Sequence, residues 1–219
     1  MEKNEITIKI NETISLKGNL SIPENPKALV IFSHGSGSSR FSSRNRFVAQ
    51  ILNKHNIATL LTDLLTEDED LDYSKRFDIE LLTDRLVSVT NYVIGLSNLK
   101  GLEIGFFGAS TGAASALKAE TILNGKIHAI VSRGGRPDLA GESISNVKAS
   151  TLLIIGSLDN QVIYLNKKAF EDLMCVKQII LVKDATHLFE EPGKLNEVAE
   201  LAVRWFSKYL FKKSELVAF

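Results

Sequence analysis

Cysteine is almost missing from this chain: Cys175 is the only one in 219 residues. No internal disulfide can form, which fits a reducing, cytoplasmic setting. An excess of either charge is missing too. Twenty-six Lys and Arg balance 26 Asp and Glu, so no basic bias marks a nucleic-acid partner. No apolar run approaches the length needed to span a bilayer, which predicts no membrane association. The opening Met1-Glu2-Lys3-Asn4-Glu5 is polar and does not read as a signal peptide. There are no repeats and no low-complexity linker. No histidine pair or cysteine cluster suggests zinc. The acidic stretch 67–72 alternates Asp68, Asp70 and Asp72 as an EF-hand does. Tyr73 stands where that loop needs glycine, and Ile79 where it needs the closing glutamate. The expectation is a solvated loop and no metal. What remains is 44% hydrophobic and 24% charged, in one domain over 1–219 that buries roughly 70% of its unfolded surface.

The pattern opens with two half-exposed antiparallel strands. Ile6, Ile8 and Ile10 alternate in the first, and Ile14, Leu16, Leu20 and Ile22 in the second, with a turn at Asn11-Glu12. Ala28–Phe32 is a continuous apolar strand, of the kind covered on both faces. Strands are then expected at 57–61, 102–107, 127–131, 150–155 and 178–182. Helices are expected at 43–55, 77–96, 113–123, 162–173 and 195–210. This alternation predicts an α/β fold: a mostly parallel sheet of about eight strands, an antiparallel N-terminal edge, and helices on both faces. Ligands of such sheets bind beyond the carboxyl ends of the strands.

The most informative stretch is Gly108-Ala109-Ser110-Thr111-Gly112. It lies between an apolar strand and a small-residue helix. A serine at the apex of that turn is forced toward positive φ and stands clear of the sheet as a nucleophile. The Thr111 N–H then opens the helix and points where an oxyanion would form. A second donor is expected from the Gly/Ser-rich loop Ser33–Arg40, most naturally Ser36, with Gly37 the alternative. That loop fits neither the dinucleotide fingerprint nor the P-loop, so no cofactor is expected. His34 is expected to brace it. After the 150–155 strand comes Asp159, either a helix cap or the group that holds an imidazole in one tautomer. After the last strand comes His187. Ser110, Asp159 and His187 sit past three strand ends in the order that the hydrolase topology requires.

With these residues in view, the chain resembles the α/β-hydrolases, in the group called dienelactone-hydrolase-like. The resemblance runs from about Ala28 onward and includes SHGSGSSR, GASTGAASAL, SRGGRPDLAG and ATHLFEEPG. It implies the roles of nucleophile, acid and base for Ser110, Asp159 and His187. Dienelactone hydrolases carry a cysteine nucleophile, whereas this chain has serine, and Cys175 reads as core filling. Relatives of this kind are sometimes joined to a phosphoribosyltransferase-like domain, to which no stretch of these 219 residues corresponds.

The expected activity is hydrolysis of a small ester or related acyl substrate through an acyl-enzyme. Thioesterase, lactonase and peptidase chemistry, or a non-catalytic binding role, are the alternatives. Only Ser132–Val147 occupies the place where many such folds insert a lid, so the site should be open. Arg133 and Arg136 in that stretch read either as a clamp for an anionic substrate group or as an internal pair with Asp138. Oligomeric state is not legible. Leu216-Val217-Ala218-Phe219 reads as a docking tail or a disordered end.

Overall fold

The computed structural model describes residues 1–211; the 216–219 tail lies outside them. Eight strands form one sheet in the order β1-β2-β4-β3-β5-β6-β7-β8. They are β1 (Glu2–Lys9), β2 (Ser15–Ile22), β3 (Ala28–Ser33), β4 (Ile57–Thr62), β5 (Glu103–Ala109), β6 (Ile127–Arg133), β7 (Ser150–Gly156) and β8 (Lys177–Val182). β1, β2 and β4 pair antiparallel, and every pairing from β4 to β8 is parallel. β3 and β4 are buried throughout, which is why β3 is apolar up to its final Ser33 and β4 is apolar apart from Thr59 and Thr62, with no alternation in either.

Helices cover both faces. On one lie α1 (Ser43–Lys54) and α6 (Lys194–Leu210). They bury Val48, Leu52, Trp205 and Phe206 against Val30, Phe32 and Phe107. On the other lie α3 (Ile79–Ile94), α4 (Thr111–Leu123) and α5 (Asn160–Asp172), whose Leu86, Val89, Leu117 and Ala169 meet Ile31, Phe106, Ile130 and Leu153. Residues that alternate along one strand thus enter different cores, as the two-residue repeat of side-chain direction requires. The direction in which strands are added to the sheet reverses at β3: β4 lies on one side of it and β5 on the other. That divergence opens a crevice at the carboxyl ends of β3 and β5.

The acidic stretch departs from expectation. Glu67–Asp70 forms a short helix, α2, closed by a capping box in which Thr66 accepts from the Glu69 N–H and Glu69 accepts from the Thr66 N–H. Glu69 also pairs with the buried Arg85 at 2.6 Å. A 3-10 turn, Tyr73–Phe77, follows, so α3 starts two residues later than the apolar period suggests, at the cap Asp78. The stretch after β6 is likewise not plain loop: Pro137–Asn146 winds as 3-10 turns broken at Gly141. It inserts no lid domain. Cys175 is half-buried against the core beside Thr151. Among the described residues, no helix is long and apolar enough to cross a membrane, and no cluster of His, Cys, Asp or Glu is arranged to hold a metal.

Candidate active site

Ser110 sits between β5 and α4 at φ 51°, ψ −123°, a conformation that costs a non-glycine residue of order 1–3 kcal/mol. The neighbouring backbone enforces it. The Ser110 N–H donates to the Arg133 carbonyl at 3.3 Å, and the Ser110 carbonyl accepts from the amides of Ala113 (3.1 Å) and Arg136 (3.0 Å). Gly112 is required for a further reason. A Cβ there would lie 2.2 Å from the Ser33 carbonyl oxygen, so only glycine lets α4 start this close to the end of β3.

β7 and β8 bring the other two residues together. Their terminal loops interlock: the Leu158 N–H donates to the Ala185 carbonyl at 3.0 Å, and the Asp184 N–H to the Ser157 hydroxyl at 2.8 Å. Asp159 occupies the cap position of α5 but makes no side-chain cap bond. Its Oδ2 instead lies 2.6 Å from His187 Nδ1. That contact fixes the tautomer with the proton on Nδ1 and leaves Nε2 as the basic nitrogen. Glu191 steadies the histidine loop by accepting from both the N–H and the hydroxyl of Thr186. The hydrogen bond from that hydroxyl holds the Glu191 carboxyl below its ordinary range. Ser110 and His187 line one cavity of about 250 Å³.

The loop after β3 supports the elbow. Gly35 packs against Ser110, where an added Cβ would come within 3.0 Å of the serine Cβ. His34 is buried. Its ring is held at Nδ1 by the Gly35 carbonyl and at Nε2 by the Leu64 N–H. Burial keeps its pKa below the ordinary value. The His34 ring therefore braces the loop. The Thr111 N–H is the first amide of α4 and has no intrahelical carbonyl to take it. The Ser36 N–H, the second donor expected from sequence, is engaged at 2.9 Å by the Thr111 hydroxyl.

The two arginines of the expected clamp separate. Arg136 holds Asp138 through Nε at 2.8 Å and Nη2 at 2.8 Å, and it does not line the cavity. The internal pair describes Arg136, which is withdrawn from the clamp because its fork is filled. Arg133 does line the cavity, as does Arg44 of α1. Sequence reasoning passed over Arg44, although it carries a signal: the first turn of α1 has no acidic residue, and a cation there opposes the helix dipole. It also passed over Asn166, buried in α5, whose Nδ2 donates to the Gly135 carbonyl at 2.9 Å and so holds the loop behind Ser110.

No family model matches the chain. Two Mycobacterium tuberculosis proteins bearing the provisional name phosphoribosyl transferase are 49% identical over 197 residues, 90% of this chain and 44% of theirs. The chain thus spans less than half the length of these curated relatives. A solved structure of dienelactone hydrolase from Anabaena variabilis is 46% identical, covers 95% of this chain and 98% of its own, and superposes with a TM-score of 0.92. Est1E of Butyrivibrio proteoclasticus shares the fold at 17% identity and a TM-score of 0.78. Sheet order, the strained turn at Ser110 and 46% identity over nearly the whole length of the Anabaena structure agree: the chain belongs to the dienelactone-hydrolase-like group of the α/β-hydrolases.

Proposed function

We propose that the protein is a serine hydrolase acting on a small ester or related acyl substrate. The observation that carries this reading is the 2.6 Å contact of Asp159 with His187, whose ring lines the cavity that also holds the strained Ser110. In this mechanism His187 Nε2 takes the proton of the Ser110 hydroxyl as its oxygen attacks the acyl carbon. Asp159 stabilises the imidazolium that results. His187 then gives the proton to the leaving alcohol, and the alcohol departs. Water deprotonated by His187 next attacks the acyl-enzyme, the acid leaves, and Ser110 recovers its proton.

The negative charge on the acyl oxygen is met by the Thr111 N–H and by a relayed donor. The Ser36 N–H holds Thr111 Oγ1, which leaves the hydroxyl proton of Thr111 to donate to the oxyanion. Ser36 thus acts through Thr111. The reaction needs no cofactor.

The test is labelling with a fluorophosphonate probe and location of the adduct by mass spectrometry. Modification of Ser110 that disappears in His187→Ala is the expected result. Folded protein that takes no label would overturn the reading and favour a binding protein on the same scaffold.

A further inference from the structure

Arg133 is held in an unusual condition. Its residue is 7% exposed, its Nε is buried without a hydrogen-bond partner, and among the described residues no carboxylate pairs with it. A buried guanidinium is ordinarily paired, because removing a charge from water without compensation is costly. The fold has the means to pair an arginine and does so three residues on, where Asp138 fills the fork of Arg136. Around Arg133 the surroundings add positive charge instead. Arg44 lines the same cavity. So does Ser42, the cap of α1, which places the positive end of that helix nearby. The cavity lining contains no Asp or Glu. Glu190 reaches Arg44 at 2.9 Å from outside, with its own side chain 64% exposed.

Position completes the argument. The Arg133 carbonyl accepts the Ser110 N–H, and Arg133 lines the same cavity as Ser110. A space of about 250 Å³ limits a bound anion to a few bonds from the acyl carbon. Resting on the serine-hydrolase reading, we propose that Arg133, assisted by Arg44, is an anion subsite that selects short acyl substrates carrying a carboxylate or phosphate-type group. The fork of Arg133 would receive two oxygens of that group, and Arg44 would exchange its exposed partner Glu190 for a third.

Three ethyl esters test this, with proton release followed in a pH-stat: monoethyl succinate, ethyl phosphonoacetate and the neutral ethyl butyrate. Wild-type protein should prefer one of the anionic esters. Arg133→Gln should lower kcat/KM for that ester 10- to 100-fold more than for ethyl butyrate, mainly through KM. Arg133→Lys should recover part of the loss, and Arg136→Gln should leave the preference unchanged. The ester most affected distinguishes carboxylate from phosphate. Equal losses on all three esters, or a wild-type preference for ethyl butyrate, would overturn the subsite. If no ester turns over, titration of Ser110→Ala with succinate and with inorganic phosphate decides separately. Saturable binding that Arg133→Gln removes supports the subsite, and no binding at millimolar concentration refutes it.

Discussion

Replacing Arg133 with methionine should make the protein more stable. The reasoning starts from the charge. Burial, with a smaller contribution from Arg44, lowers the Arg133 pKa well below the ordinary guanidinium value, to about 10. Each decade of proton affinity corresponds to about 1.4 kcal/mol, so carrying this charge costs the folded state about 3 kcal/mol. The sign is fixed by linkage. A cation whose folded pKa is depressed destabilises at every pH below about 10, and the cost fades only as pH rises through that value. Methionine keeps an unbranched stem of similar length and removes the charge. Some packing around the guanidinium is lost with it, so the expected gain is about 1–3 kcal/mol, or roughly 2–10 °C in Tm for a domain of this size. Urea unfolding at pH 7.5 measures it as a higher midpoint with the same slope. An unchanged or lower midpoint would mean that Arg133 has a compensating partner within the fold, and the argument for an anion subsite would lose its foundation.

Two further perturbations probe separate parts of the site. Thr111→Val removes the hydroxyl that Ser36 holds and sets a methyl group before the oxyanion; kcat for ethyl butyrate should fall on the order of 10- to 100-fold with KM little changed, whereas Thr111→Ser should stay near wild type. Full kcat in Thr111→Val would show that the hydroxyl plays no part. His34 is kept neutral by burial, and its unfolded form binds a proton near the ordinary 6.5, so stability should fall as pH drops below that value, by up to about 1.4 kcal/mol for each pH unit above the folded pKa. Urea unfolding between pH 7.5 and 5 should show this slope in wild type and a shallower one in His34→Gln; equal slopes would mean that His34 already accepts a proton in the folded state.

Much of this architecture was legible because its signals are local. Ser110 is marked by glycines two residues to either side, and Asp159 and His187 by their place just past strand ends. What Asp159 meets was not legible locally: its contact with His187 depends on the interlocked loops after β7 and β8. Residues 67–72 were misjudged for another reason. Their charge suggested solvent, while Thr66 and Glu69, spaced as a capping box, specified a helix start. Arg133 and Arg136 look alike in sequence, and only the turn that aims Arg136 at Asp138 tells them apart. Asn166 was invisible because its partner, Gly135, lies 31 positions away.

The clamp on the Ser110 peptide has a consequence for how such a protein can change. Its two outer hydrogen bonds come from Arg133 and Arg136, the same short segment whose side chains face the cavity or turn from it. A change in the backbone course of that segment is expected to tilt the peptide that carries the Ser110 hydroxyl. In the proposed hydrolase, selectivity and turnover are therefore linked through that backbone. A laboratory lineage selected for a new substrate through changes at 133–136 should first become slow, and regain speed only through substitutions behind the segment, beginning with Asn166.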